Sequence, residues 1–325
     1  MQMSNSGTQA VKLKAILTGL LLLAVGSIHG QLKWINVDSL YQPLPSSVHV
    51  YFSDSPLDTG KFRAYYLIAD LKNKNLEFTS DTSKDRRLKP SAFYEKNKNP
   101  LVVVNCTFFS FQTNKNLNIV MRDGIILSEN GRVIRDKDSV FYMPHLSAIG
   151  ISKQRDADVA WIKADSTATT AFATQNPPVY YKIYKTSRGT GETTASDPNN
   201  FKKWKMKTAV GGGPVLLQEG EVRITNEEEK RFTGKAINDK HPRTAMGYTK
   251  DGKLIILVVE GRNKNAGGAT LTQEAQILKD LGCREALNLD GGGSSCMLVN
   301  GKETIKVSDA SGQRPVPAVF IIKQR

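Results

Sequence analysis

Asn288-Leu289-Asp290-Gly291-Gly292-Gly293-Ser294-Ser295 lies between two apolar segments that read as strands, and its reading decides how the rest of the chain is understood. Three consecutive glycines lose much conformational entropy on folding. A chain keeps them where the backbone needs a positive φ or where another group must approach closely. Asp290, at the end of a buried-looking strand, is followed by backbone N–H groups and two hydroxyls with little side-chain cover. That combination can place a charge and several donors on one small ligand. The same residues also suit a loose glycine hairpin with Asp290 as a turn residue. What the remaining chain brings to this place separates the two readings.

Immediately upstream, residues 270–281 predict a helix. Thr270 caps it, Gln273 completes a capping box, and Leu271, Ala275, Leu278 and Leu281 line one face before Gly282 ends it. Before the helix, Asp251-Gly252 turns the chain into Leu254-Ile255-Ile256-Leu257-Val258-Val259-Glu260, an apolar strand that ends on a carboxylate and continues into Gly261-Arg262. In a central strand, burial raises the pKa of Glu260 and a nearby arginine lowers it. At the surface, Glu260 simply pairs with Arg262. A second triplet, Gly211-Gly212-Gly213, sits between Ala209-Val210 and Pro214-Val215-Leu216-Leu217. Two triplets at strand ends suggest backbones approaching a common ligand or each other.

Further out, Leu101-Val102-Val103-Val104 delivers Asn105-Cys106-Thr107-Phe108-Phe109 at its end. An amide followed by two aromatics suits a sugar, and the phenylalanines equally suit a core. Residues 48–52 and 62–71 read as strands and open a β-rich N-terminal part, residues 31–89. Residues 79–89 read as a basic polar loop and 90–95 as a short helix with proline in its first turn. Asp123-Gly124 closes a hairpin between Ile119 and Leu127. Residues 140–151 and 159–162 continue as strands, 165–178 and 187–200 as long loops, 219–240 as a charged loop or lid, and 318–322 as a last strand. The expected fold class is α+β, with mixed, mainly antiparallel sheets and a few packing helices.

The chain of 325 residues is 39% apolar and 23% charged, ordinary for a globular protein. Residues 1–30 differ: Lys12 and Lys14 precede the apolar run 15–25, followed by Gly26, Ser27 and Gly30. This pattern predicts a cleavable export signal ending near Gly30, since the run falls short of the about 20 residues that span a bilayer. The mature chain is expected to be secreted or periplasmic, without an integral membrane segment. Loss of the two lysines lowers the formal charge from +14 to +12. That excess favours phosphate-bearing or acidic polysaccharide partners. Nucleic acid is not expected, because no reader motif is present. Of Cys106, Cys283 and Cys296 at least one stays free, and a bridge between the two that flank the glycine hairpin is conceivable. Four histidines without paired spacing give no expected metal site, and no cofactor is expected.

Residues 105–109, 211–217, 243–247, 258–262, 288–295 and 313–316, in this order, resemble the phosphodiester glycosidase family, over a stretch taken here as the domain 90–325. The resemblance implies a mixed α+β fold and hydrolysis of a sugar-1-phosphodiester, alpha-N-acetylglucosaminyl among the candidates, at the anomeric carbon. Three departures stand out. Cys106 and Thr107 replace the small residues that usually follow the asparagine, Cys296 replaces a threonine, and Pro317-Ala318 replaces Ala-Asn.

A phosphate diester already carries a good leaving group. The reaction therefore asks mainly for stabilisation of an oxocarbenium-like centre and of phosphate charge. Asp290 and Glu260 are the candidate catalytic carboxylates, one as nucleophile or base and the other as helper. Arg243, with Arg262 or Arg314, suits a planar grip on phosphate. Gly212, Gly213, Gly291, Gly292 and Ser294 are candidate donors to the same oxygens, while Asn105, Thr107 and Phe109 are candidates to meet the sugar. Two rivals remain: a non-catalytic glycan-binding or exopolysaccharide-assembly protein of the envelope, and a serine hydrolase using Ser294 or Ser295 with His241. The second lacks a nucleophile-elbow motif.

Overall fold

The computed structural model describes residues 32–131, 134–135, 141–143, 145–164, 167, 169–177, 181–186, 189–191 and 200–325. The expected export signal lies outside the described residues, as do parts of the expected loops at 165–178 and 187–200.

In chain order the elements that frame the site are β1 (Val48–Ser53), β2 (Ala64–Asp70), β3 (Leu76–Thr82), α1 (Pro90–Lys96), β4 (Val102–Asn105), β5 (Val120–Arg122), β6 (Ile125–Ser128), β7 (Leu146–Ser152) and β8 (Ala157–Ala164). They continue with β9 (Ala171–Thr174), β10 (Met206–Gly211), β11 (Val215–Gln218), α2 (Asn226–Glu229), β12 (Arg243–Thr249), β13 (Lys253–Val259), α3 (Leu271–Asp280), β14 (Cys283–Asn288), β15 (Met297–Val299) and β16 (Ala318–Gln324). An eight-stranded sheet runs, in space, Ile35–Asn36, β1, β2, β13, β12, β14, β11 and Glu221–Val222. A seven-stranded sheet runs Lys202–Lys203, β9, β8, β7, β10, β5 and β6, and a five-stranded sheet runs Lys302–Glu303, β15, β4, β16 and β3. Every pairing between the described strands is antiparallel. The architecture is therefore sheet-rich, with few helices.

Strand periodicity separates the two faces of the eight-stranded sheet. Ile256, Val258, Met246, Leu287 and Leu289 join a core with Val102, Val104, Trp161, Val210 and Phe320 of the other two sheets. The alternate residues Ala245, Leu257, Val259 and Ala286 pack with Leu271, Ala275 and Leu278 of α3. The start of that helix is held by a capping box: Gln273 N donates to Thr270 Oγ1 at 3.1 Å and Thr270 N donates to Gln273 Oε1 at 3.0 Å. Such a cap is worth about 1 kcal/mol. Gly282, at φ 82°, follows the helix and turns the chain into β14.

One expectation about local structure changes. Residues 79–82, read as the start of a polar loop, are the second half of β3 and pair with β16. Thr79, Ser80 and Asp81 are buried, with Ser80 Oγ donating to Met121 O at 2.7 Å and Asp81 pairing with Arg122 at 3.0 Å. Residues 32–89 of the N-terminal part contribute strands to two sheets, β2 pairing with β13 and β3 with β16.

Sheet order assembles the site. Neighbouring antiparallel strands reverse direction, so the end of β13, the start of β12 and the end of β14 share one edge of the sheet. Arg243 lies opposite Val259 and Ala245 opposite Asn288. Leu289 N still donates to Thr244 O at 2.8 Å, and Gly292 N to Pro242 O at 2.8 Å. Glu260, Arg243 and Asp290 thus emerge on adjoining strands.

Candidate functional site

Asp290 sits where the eight-stranded and five-stranded sheets meet. Its N–H donates to Cys106 O at 2.8 Å, and its carbonyl oxygen accepts from Asn105 Nδ2 at 2.5 Å. The other end of the same amide, Asn105 Oδ1, accepts from Cys296 N and from Thr244 Oγ1, each at 3.0 Å. One carboxamide therefore ties both ends of the glycine loop to β12. An asparagine meets this demand because it donates and accepts at once. Asn105 is fully buried, so the sugar contact expected of it gives way to a bracing role.

Asp290 retains some solvent contact, but its Oδ2 atom is buried and has no hydrogen-bond partner among the described residues. Burial pushes the carboxyl up to about 7, against the lowering influence of the Ser294 hydroxyl, of the Arg314 and Arg231 guanidiniums and of the Gly291 N–H. Ser294 Oγ is likewise buried without a partner. Buried polar atoms without a well-formed hydrogen bond are costly in a folded protein, and such groups are found where a ligand completes them.

Cations surround this point. Arg231 was not among the expected site residues. It is deeply set, donates from Nη2 to Gly212 O, and stacks its guanidinium over the Phe108 ring at 4.7 Å. Burial draws its pKa down to about 10, while Glu229 and Asp290 raise it, so it remains charged at neutral pH. Glu229 anchors it. That buried carboxylate accepts from Ser147 N, Ser147 Oγ, Trp161 Nε1, Val215 N and Thr225 Oγ1 at 2.6 to 3.2 Å. These donors come from two sheets. Residues 219–240, read as a charged loop or lid, thus carry a buried carboxylate and a deeply set guanidinium toward the site. The cue in the sequence was slight: Phe232 in an otherwise charged run.

Arg314 is held by Asp309 through Nε and Nη2 at 2.8 and 2.9 Å, with its guanidinium pressed against the position a Cβ on Gly293 would fill. Its guanidinium also stands 5.5 Å from the centroid of Phe111, which is 62% exposed, and Arg87 stands 5.3 Å from the same ring. Arg262 lies against Gly292 and donates from Nη2 to His241 Nδ1 at 3.1 Å. Arg243 is buried, with Nε on Ala269 O at 2.9 Å and Nη2 on Asp239 O at 3.2 Å. Its neighbour Glu274 has both oxygens unpartnered, and burial lifts that carboxyl to about 8 despite Arg243. Glu274 is therefore largely neutral at pH 7, and the Arg243 charge stays uncompensated by it.

Other expected residues are placed differently. Glu260 is 2% exposed and spent on the scaffold: Oε1 accepts from Asn263 Nδ2 and Oε2 from Lys306 N, each at 3.1 Å. It makes no ion pair with Arg262 and shares no hydrogen-bond partner with Asp290 among the described residues. Phe109 enters the core with Phe93 and Val103, and the half-buried Phe108 is the aromatic next to Arg231. Thr107 is buried and donates to Asn116 Oδ1 at 2.5 Å.

The glycine N–H groups are mostly used internally. Gly212 N donates to Ser147 O at 3.0 Å, Gly213 N to Asn288 O at 2.8 Å, and Gly292 N to Pro242 O. The triplets serve close approach: Gly213 has φ 121°, and a Cβ there would stand 2.5 Å from Glu229 Oε2 and 2.6 Å from Arg231 Nε. The suspected cysteine bridge is absent, all three thiols being free and buried. Cys283 faces the α3 side of its sheet, whereas Cys296 packs with Phe93 and Phe109. Among the described residues no group of three or more His, Cys, Asp or Glu side chains converges as a metal cage would. No helix among them is long and apolar enough to cross a membrane.

Residues 98–323 fit the family profile described as NAGPA, phosphodiester glycosidase. The chain is 29% identical over 93 residues to N-acetylglucosamine-1-phosphodiester alpha-N-acetylglucosaminidase of Mus musculus, which covers 28% of this chain and 18% of that protein. It is 42% identical over 85 residues to the SPbeta prophage-derived uncharacterized protein YomE of Bacillus subtilis (strain 168), covering 26% of this chain and 13% of that protein. The aligned stretch therefore spans less than a fifth of either relative. In fold, the zebrafish N-acetylglucosamine-1-phosphodiester alpha-N-acetylglucosaminidase catalytic domain, auto-inhibited by its pro-peptide, superposes with a TM-score of 0.58 at 21% identity, over 87% of this chain and 85% of that one. A hypothetical protein from Synechocystis gives 0.60 at 15% identity, over 90% and 64%. With the family profile covering most of its length, the chain belongs to the phosphodiester glycosidase family.

Proposed function

We propose that the Asp290 site hydrolyses a sugar-1-phosphodiester at the anomeric carbon, releasing free sugar and a phosphate monoester, and that the protein does so after export. The observation that carries this reading is the Asp290 carboxyl, whose buried Oδ2 has no hydrogen-bond partner among the described residues and which feels the charges of Arg314 and Arg231. The arginines address the phosphate oxygens through charge and planar N–H pairs, which favours departure of the phosphate group. Asp290 faces the anomeric carbon, offsets the developing positive charge and takes the proton of the incoming water. A carboxyl near 7 is ionised in about half of the molecules at neutral pH, which suits it to that proton transfer. Glu260 supports the chemistry from a distance by fixing residues 263 and 306. Ser294 donates to the substrate or to Asp290. His241, the base a serine nucleophile would call on, instead faces Arg262 Nη2 at 3.1 Å, which favours this role over that of a nucleophile. Lys12, Lys14 and the short apolar run after them support export.

The test is a panel of alpha- and beta-linked sugar-1-phosphodiesters beside methyl and aryl glycosides of the same sugars, read as released sugar. Turnover confined to phosphodiesters, and lost in Asp290→Asn, is the expected result. Faster turnover of the ordinary glycosides, or binding of phosphodiesters without turnover, overturns the reading.

A further inference from the structure

A cleft of about 720 Å³ opens on the seven-stranded sheet, and none of the residues that line it takes part in the Asp290 site. Its walls carry Lys153, Arg155, Lys203, Lys205, Lys207 and Arg325, against the side-chain carboxylates of Glu77 and Asp123 alone. Those two carboxylates make only long contacts, Glu77 with Arg325 at 3.8 Å and Asp123 with Lys207 at 3.7 Å. Lys153, Lys203 and Lys205 have no ion pair among the described residues and are exposed.

The positive charge is built into the fold. Arg155 donates from Nη1 to Leu71 O and Asn73 O, each at 2.9 Å, and from Nη2 to Leu76 O at 2.6 Å. Carbonyl oxygens fix its guanidinium in place and leave its charge uncancelled. Between Lys203 and Lys207 the side chains alternate: Lys203 and Lys205 face solvent, while Trp204 is buried and donates from Nε1 to Asp158 Oδ2 at 2.5 Å. A buried tryptophan thus anchors a stretch of backbone whose neighbouring residues present amines to one cleft.

We propose that this cleft binds a linear, anionic glycan through its phosphate or carboxylate groups, apart from the Asp290 site. Several unpaired cations around one concave surface raise the local concentration of a polyanion and hold it by counterion release. The aromatic residues favour a polymer without bases. Trp204 and Phe78 are only 6% and 5% exposed, so neither offers the open ring face on which nucleobases stack. The proposal does not depend on turnover at Asp290.

The test compares the full chain with Lys153→Gln/Lys203→Gln/Lys205→Gln, whose changes are on exposed side chains. Binding of polygalacturonate, inorganic polyphosphate, neutral dextran and single-stranded DNA is measured at several salt concentrations. The expected result is binding of one or both base-free polyanions and none of dextran. The triple variant should lose at least tenfold in affinity, and its slope of log affinity against log salt should fall by about 2. Its hydrolysis of a small sugar-1-phosphodiester should match wild type. The polymer bound more tightly tells phosphate from carboxylate recognition. Binding within twofold of wild type in the variant, no binding of either polyanion, or tighter binding of DNA than of both, overturns the proposal.

Discussion

Replacing Asp290 by asparagine should remove activity and make the protein more stable, and both effects arise from the same buried oxygen. The carboxyl is lifted from 3.8 to about 7 in the folded chain. A raised carboxyl prefers its proton when folded, so ionisation works against folding. Below about pH 4 both states are protonated and the group costs nothing. Between about pH 4 and 7 the unfolded chain ionises and the folded chain does not, so stability falls by about 1.4 kcal/mol per pH unit. Above 7 the penalty is constant. A shift of about three units gives a ceiling of about 4 kcal/mol, and the residue's partial solvent contact lowers the expected gain to about 1–3 kcal/mol. Urea denaturation of wild type and Asp290→Asn at pH 4.5 and pH 8 reads this directly. The variant should be the more stable at pH 8 and nearly equal at pH 4.5, with turnover down at least 100-fold at pH 8. A stability difference that does not change with pH would refute the account of this carboxyl. So would a variant that is less stable at pH 8.

Three other outcomes follow from the same geometry. Arg231→Lys keeps the charge but loses the planar fork and the stack on Phe108, so KM for a phosphodiester should rise about tenfold while thermal stability changes little; an unchanged KM places Arg231 outside the binding site. Gly213→Ala forces a Cβ onto Glu229 and Arg231 at a positive φ. It should cost about 2–4 kcal/mol in urea denaturation, and a neutral substitution would show that the loop relaxes freely. Burial pushes the thiols of Cys106, Cys283 and Cys296 up. A thiol reagent should therefore find none of them in the native protein and all three after unfolding without reductant; fewer than three would indicate a bridge.

Features written in short stretches of sequence were legible, and those made by distant contacts were not. The α3 capping box, the Asp123-Gly124 hairpin and the strand that delivers Asp290 depend on neighbours in sequence, so periodicity and turn chemistry revealed them. The braces of the site depend on pairings across the fold. Asn105 reaches Asp290 over 185 residues, and Glu229 collects donors from Ser147 and Trp161, 82 and 68 residues away. A run such as Glu227-Glu228-Glu229-Lys230-Arg231 has the composition of a solvated loop, and only sheet packing buries the Glu229 carboxylate among donors and sets Arg231 against Phe108. Phe108 and Phe109 were ambiguous for a related reason: past the end of β4 the strand alternation stops, so which ring meets the core is set by the following bridge between Phe109 and Asn116. Glu260 shows the converse, where a strand-end carboxylate had the right position and burial but its oxygens were taken up by Asn263 and Lys306.

The central claim is that water attacks carbon and not phosphorus. Hydrolysis of a sugar-1-phosphodiester in ¹⁸O-enriched water, with mass analysis of the phosphate monoester before its oxygens can exchange, reads the bond broken. Cleavage at the anomeric carbon leaves the phosphate free of label. Label in the phosphate would mean phosphorus–oxygen cleavage and would contradict the assignment of Asp290 to the sugar.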